Sequence, residues 1–244
     1  MQFGKVWMIA CLLIVSMLSY AESISVVAGR SSQPYTYSDQ GYGFEVKIVD
    51  EAMNLVGYEV EFLLQPLARA KITYEQGRVD GLMTINENYQ AVKDSFLSIT
   101  YITYRNVIVS LEERNMVVDT LADLGNHRVI AFQRATIALG DKFAAAVAGN
   151  KGYWEMNEQQ QQVAMLFLGR TDLIVIDHQI FKYYRNRLNN ADKNQPVVYH
   201  EFFEPNHYKV AFVDRRVRDA FNQGVRELRA SGRYQEIIDT YMSE

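Results

Sequence analysis

Gly169-Arg170-Thr171-Asp172-Leu173-Ile174-Val175-Ile176-Asp177 is the stretch that decides the fold. A glycine and a polar turn deliver the chain into a continuous aliphatic run, mostly β-branched, and an acidic residue ends it. Such a run, bounded by turn residues, reads as a strand buried on both faces of a sheet. Gln76-Gly77-Arg78-Val79-Asp80-Gly81 opens a second strand in the same manner. Further strands are expected at residues 24–28, 60–63, 107–110, 128–132 and 209–213, with 81–83 and 173–176 following the two turns. Between them the period changes. Phe44, Ile48, Val49, Ala52 and Leu55 fall on one face of a helix, as do Val217, Phe221, Val225 and Leu228, and Gly57 and Gly232 suit helix ends. Strands alternating with helices predict an α/β fold built on a mostly parallel sheet flanked by helices. The short glutamine tract at 159–162 reads as exposed helix.

The beginning of the chain is a different kind of segment. Lys5 precedes an apolar run from Val6 to Leu18, broken only by Ser16, and Ser19-Tyr20-Ala21 follows it. This is the pattern of a secretory signal peptide, residues 1–21, with cleavage expected after Ala21. The run is short for a membrane span, which needs about 20 residues. The lone Cys11 lies inside it, so the mature chain is expected to carry no thiol, which excludes disulfides and zinc-thiolate sites. The remaining length, about 220 residues, suits one large domain or two small ones. A formal net charge of −4 without a dense basic stretch argues against a nucleic-acid partner. Composition shifts near 111–120 and 201–207 divide the chain into 22–110, a central lobe at 111–205, and a return at 206–244 to the first lobe. Two crossings of this kind make a hinge.

Several segments together resemble the type-3 extracellular solute-binding proteins, which serve amino-acid and other polar-solute ABC importers. Gln33-Pro34-Tyr35-Thr36-Tyr37, Asp39, Gly41 and Gly43-Phe44-Glu45-Val46 are similar to the family's opening pattern. Residues 76–81 resemble its Gly-Lys-x-Asp turn. Residues 129–136 resemble a strand and its Gly-Thr-Thr loop, with Arg134-Ala135-Thr136 in the loop's place. Residues 169–177 resemble the second Gly-Arg-x-Asp segment, and 208–212 with 217–241 the return strand and closing helices. The resemblance covers nearly all of the mature chain. It implies a two-lobed periplasmic-binding-protein-like clamp with a two-crossing hinge, a small polar ligand held between the lobes, no cofactor, and an inner-membrane permease or sensor as partner. A periplasmic location follows from the leader, and a monomer is the default because no heptad or exposed apolar stripe argues otherwise.

The ligand-binding candidates follow from the same positions. Tyr35 or Tyr37 maps to the aromatic that covers the ligand, the other packing in its own lobe. Asp177 corresponds to the acid that holds a ligand ammonium, although Asp at a strand-to-helix junction is also a preferred helix cap. Thr84 and Asn86 follow a strand and offer a hydroxyl, an amide or backbone N–H groups, or ordinary turn chemistry. Arg134 and Thr136 precede a helix, where N–H groups attract anions. Arg69 resembles a cleft-facing arginine of one branch, or pairs with surface acids. The family's amino-acid binders also carry an arginine that clamps the α-carboxylate with two parallel hydrogen bonds. No arginine lies between Arg78 and Arg105 here, and Asn88, Tyr89 and Gln90 stand in that neighbourhood.

Two other readings stay open. One is an enzyme on the same fold, similar to the cyclohexadienyl dehydratase branch, with Glu45, Glu87, Asp177 and His178 as available acids and bases. They form no recognisable constellation, and His127, His178, His200 and His207 lack metal-ligand spacing. The other is a ligand-sensing protein that hands its closed shape to a membrane sensor.

Overall fold

The computed structural model describes residues 22–29, 33–38, 41–86 and 95–243, so the leader, Cys11, Asp39, Glu87, Asn88, Tyr89 and Gln90 lie outside the described residues. Strand β1 (Glu22–Gly29) is followed by a short hairpin of β2 (Tyr37–Ser38) and β3 (Gly41–Tyr42). Helix α1 (Phe44–Leu55), strand β4 (Tyr58–Gln65), helix α2 (Leu67–Glu75) and strand β5 (Gly81–Ile85) complete the first run. Short strands β6 (Phe96–Leu97) and β7 (Ile102–Tyr104) lead to β8 (Asn106–Leu111). The central part holds β9 (Val129–Phe132), α3 (Ala135–Ala138), α4 (Asp141–Val147), β10 (Tyr153–Met156) and α5 (Gln159–Phe167). It continues through β11 (Leu173–Asp177), α6 (His178–Asn186), α7 (Asn190–Asn194) and β12 (Val197–His200). Strand β13 (Asn206–Phe212) and helices α8 (Arg215–Ser231) and α9 (Arg233–Ser243) close the chain.

Two sheets result. The first has the order β4-β1-β5-β13-β6, with β7 also on β13, and the second the order β10-β9-β11-β8-β12. The βαβ units pair in parallel, β1 with β4 and β5, and β9 with β10 and β11. The strands that carry the chain between sheets run antiparallel: β8 against β11, and β13 against β5. Each sheet is therefore mixed, parallel where helices cross over and antiparallel where the chain changes lobe.

One boundary moves. Residues 107–110, expected in the first lobe, lie in β8, which pairs with β11 and β12 in the second sheet. The first crossing thus falls at Arg105, between β7 and β8, ahead of the polarity rise at 111–120. That rise marks the 3-10 turns Glu112–Arg114 and Leu121–Asn126 inside the second lobe. The return at 206 coincides with the start of β13.

Helices cover both faces of each sheet because the strands are apolar on both. Ile24, Val26 and Ala28 join Ile48, Val49, Ala52, Phe221 and Val225 in one core, while Val27, Leu82 and Ala211 pack on the other face with Ala70 and Tyr74 of α2. In the second lobe Ile108, Val129, Ala131 and Val175 pack with Phe143 and Val147 of α4. Helix α8 opens on an Asp214 cap, whose Oδ1 accepts from Arg216 N at 2.7 Å, and ends at Gly232 with φ 82°. The glutamine tract is not simply an exposed helix. Gln162 is fully buried, and its amide Nε2 donates to Ile130 O and Val175 O, both at 2.9 Å, joining the backs of β9 and β11. Its Oε1 finds no partner among the described residues.

Gly224 marks the tightest crossing. A Cβ there would collide with the Ala52 carbonyl, because α8 and α1 meet backbone to backbone at that point. Gly224→Ala is expected to cost about 2–4 kcal/mol by forcing the helices apart. Gly125→Ala, whose new Cβ would meet only Ala146 O at 3.7 Å, is the control. Urea unfolding of the two variants measures the difference.

Candidate functional site

Parallel strands end at an edge where helix N-termini offer free N–H groups, and the two lobes present these edges near the crossings. Helix α1 supplies the first lobe's part. Its leading amides Phe44 N and Glu45 N donate to Pro34 O and Tyr35 O at 3.0 and 2.9 Å, and Gly43 lies so close to that turn that a Cβ would overlap it. The consequence is that Tyr35 and Glu45 are held as one unit.

The Tyr35 ring is 1% exposed, stacks on Tyr104 with centroids 3.7 Å apart, and leans on Phe44 at 4.7 Å. Its hydroxyl donates to Asp177 Oδ1 at 2.8 Å, a direct bond between the lobes. Tyr184 OH to Gln33 Oε1, at 3.3 Å, is a second such bond. Asp177 ends β11 and caps α6, with Oδ1 also accepting from Gln179 N and Ile180 N at 2.9 and 3.1 Å. Its Oδ2 accepts from Arg105 N at 2.8 Å, at the first crossing. One carboxylate therefore fastens a helix, a hinge strand and the opposite lobe. Burial pushes it up to about 6, against the pull of the donors of Ile180, Tyr35, Arg105 and Gln179.

Glu45 is the first lobe's counterpart. It is fully buried, has no cationic partner among the described residues, and accepts from Thr84 Oγ1 and Tyr104 OH, each at 2.6 Å, and from Tyr101 OH. Burial raises its pKa, and the three hydroxyls oppose that rise. Thr84, at φ 59°, is a β-branched residue in the left-handed region, an uncommon conformation held by the bond to Glu45 and by Thr84 N donating to Tyr101 Oη at 3.3 Å. The Tyr35–Tyr104 stack thus links the two buried acids, Glu45 in one lobe and Asp177 in the other.

A separate cluster forms at the second lobe's edge. Arg134 N, Thr136 N and Thr136 Oγ1 converge on one point, and the Glu155 carboxylate occupies it, at 2.6, 3.0 and 2.9 Å. Tyr153 OH adds a fourth bond at 2.9 Å. Burial acts upward on the Glu155 pKa, but these donors outweigh it and hold the carboxyl below its ordinary range. The Arg134 guanidinium is exposed.

The structure brings Tyr35 and Asp177 together and connects Thr84 to them through Glu45 and Tyr104. Arg134 and Thr136 form their own cluster. Arg69 stands apart, exposed on α2 beside a cavity of about 740 Å³ shared with Gln65, Ile72 and Arg78. Asn86 is half-buried just after β5, and Tyr37 lies in the β2–β3 hairpin. Among the rival acid–base candidates, His178 sits edge-on to Tyr199 with ring centroids 5.0 Å apart, while Glu45 accepts from three hydroxyls. Among the described residues no group of three or more His, Cys, Asp or Glu side chains converges as a metal site, and no helix is long and apolar enough to cross a membrane.

Sequence reading missed Glu155, Tyr101, Tyr104 and Arg105. The first was detectable, since Tyr153 and Glu155 alternate onto one face of a short β run. Nothing local marks the tyrosines, whose role comes from residues about 60 positions away.

Comparison with known proteins agrees with this architecture. An ancestral cationic amino acid solute-binding protein, 17% identical, superposes with a TM-score of 0.70 over 92% of this chain and 97% of that one. An ancestral arginine-binding protein bound to arginine, 21% identical, gives 0.66 over 91% and 99%. A histidine kinase sensor domain with similarity to periplasmic binding proteins, 19% identical, gives 0.66 over 91% and 97%. No curated protein sequence matches the chain. Residues 24–244 match the description of the bacterial extracellular solute-binding proteins, family 3, and over that length the chain belongs to this family.

Proposed function

We propose that this protein works in the periplasm, after removal of its leader, as a solute-binding protein that captures a small polar, amino-acid-like molecule between its lobes and delivers it to an ABC importer. The observation that carries this reading is the Tyr35–Asp177 bond, a polar contact made across the lobes at the strand edges where such a ligand would lie. Groups that meet only when the lobes close convert ligand contact into a change of shape, and a ligand that prefers the closed form shifts the population toward it. The domain division that suits this use is 22–105 with 206–244 as one lobe and 106–205 as the other. Tyr35, Thr84, Asn86 and Asp177 line the junction, with Tyr37 and Arg69 toward the first lobe's rim and Arg134 and Thr136 on the second lobe. The binding reading draws support from the two buried acids, Glu45 and Asp177, whose partners among the described residues are hydroxyls and backbone amides. The similarity to a sensor domain favours one second reading, in which the closed form is read by a membrane sensor.

Thermal-shift screening against amino acids, polyamines, small carboxylates and short peptides tests binding, since a ligand of the folded state raises its stability by RT ln(1 + [L]/Kd). A stabilising solute recovered unchanged after incubation is the expected result. Consumption of that solute would make the protein an enzyme. Uptake assays in cells lacking the gene separate the importer from the sensor: import of the solute stops in the first case and continues in the second.

Asp177→Asn is expected to weaken an amine-bearing ligand at least tenfold, because a buried carboxylate is replaced by a neutral amide. The same variant tests the titration of this acid. A carboxyl whose folded pKa lies near 6, above an ordinary value of 3.8, takes up a proton on folding. Stability is then greatest below about pH 4 and falls as pH rises through about 6, by up to ~3 kcal/mol for this group. Denaturation measured from pH 4 to pH 7 is expected to show that loss in the wild type relative to Asp177→Asn. Parallel curves would contradict it.

A further inference from the structure

A cavity of about 430 Å³ lies between α6 of the second lobe and α9 of the first. Gln179, Lys182 and Asn186, spaced three and four residues apart, form one stripe of α6, and Gln235, Asp239 and Met242 form the facing stripe of α9. Asn186 Nδ2 donates to Met242 O at 3.2 Å and ties the two helices where the stripes end. Arg185, Lys193 of α7 and Tyr199 of β12 complete the second lobe's wall.

The charge of this groove is one-sided. Lys182, Arg185 and Lys193 line it from the second lobe, and Asp239 is the single acid of its lining. Among the described residues none of the three cations forms an ion pair. Their gathering runs against the chain as a whole, whose formal net charge is −4. Arg185 is also fixed in place, because Nε donates to Lys193 O at 2.9 Å and Nη2 to Gln195 O at 2.7 Å. Those two bonds set the guanidinium plane and leave other N–H groups of its fork to donate. Asp239 is turned to its own helix, where Oδ1 accepts from Gln235 Nε2 at 2.8 Å. A single exposed ion pair is worth little, but several cations converging on one multivalent anion add charge-assisted bonds.

We propose that this groove is an effector site for a small polyvalent oxyanion, a phosphate or a di- or tricarboxylate, that joins α6 to α9 and favours the closed form of the two lobes. The anion lies against Lys182, Arg185 and Lys193, and the remaining N–H of the Gln235 amide is offered from the first lobe. The link to the lobe junction runs through α6. Asp177 caps that helix and accepts from Gln179 N at 2.9 Å, and the Gln179 side chain stands in the groove wall. Opening that draws α6 away from α9 dismantles the site, so an anion bound across it opposes opening, and the closed form binds the anion more tightly in return. Neither lysine belongs to the Tyr35–Asp177 contact, so the anion site and the solute site are separate.

Calorimetric titration of the purified protein with inorganic phosphate and with citrate, at a constant physiological ionic strength set by sodium chloride, tests the site. One saturable event of submillimolar affinity is expected for at least one of them, and the one that binds identifies the anion as phosphate or carboxylate. The double variant Lys182→Gln, Lys193→Gln is expected to weaken that affinity at least tenfold. Hydrogen exchange reads the bridging: the bound anion is expected to slow backbone amides in both α6 and α9. Titrations of both anions without saturable binding overturn the inference. Unchanged affinity in the double variant does the same, since it marks an adventitious ion only. Slowing confined to α6 shows an anion held by one lobe and overturns the coupling. Each of these failures leaves the solute-binding reading standing, because that reading is tested by solutes and by Asp177→Asn. Should the double variant fail to fold, Lys182→Gln alone, at an exposed position, decides through an expected loss of at least threefold.

Discussion

The Asp177 carboxylate is the constraint on which the arrangement of the lobes depends. It closes the first turn of α6, takes the amide of the residue where the chain first crosses between sheets, and receives the Tyr35 hydroxyl from the opposite lobe. Each bond is ordinary, worth about 0.5–1.5 kcal/mol when neutral and more when the acceptor is charged. Their convergence on one buried group matters more than their sum. A carboxylate 3% exposed is costly to leave unpaired, so the helix, the crossing and the first-lobe turn are obliged to meet it together. Parting the lobes removes Tyr35 from this set and leaves the bonds made within the second lobe.

Glu45 plays the equivalent part on the other side, with a different balance. Among the described residues three hydroxyls and no cation meet it, an arrangement that satisfies the oxygens without neutralising the charge. Its bonds hold Thr84 in a backbone region that β-branched residues avoid, at the carboxyl end of β5 where the chain approaches the junction. Strain of this kind persists only where surrounding contacts over-determine it. The tyrosine stack that joins Glu45 to Asp177 makes the lobe junction a single polar network inside an aromatic sleeve, and its rigidity is collective.

The second lobe's edge follows another logic, that of internal substitution. Glu155 accepts from Arg134 N, Thr136 N and Thr136 Oγ1, so the donors at the start of α3 are satisfied from the neighbouring strand. Family membership and the architecture of two mixed sheets leave the chemistry of the cleft to a few side chains. Function resides in such sites rather than in the fold that carries them.

The sequence by itself determined the α/β class, the strands at β1, β4, β5, β8, β9, β11 and β13, the helices α1 and α8, and the family, because each rests on local periodicity or on a motif of adjacent residues. It also picked out Tyr35, Thr84, Thr136 and Asp177 as polar or aromatic residues at strand ends. The edge strands β10 and β12 escaped it, being short and only half-buried, with weak alternation. The partner of each site residue was decided only by the tertiary structure. Tyr35 meets Asp177 across 142 positions, and Glu45 meets Tyr104 across 59. A buried carboxylate takes whichever donors the packed lobes bring within hydrogen-bond reach, and that is a property of the assembled sheets, which no local pattern encodes.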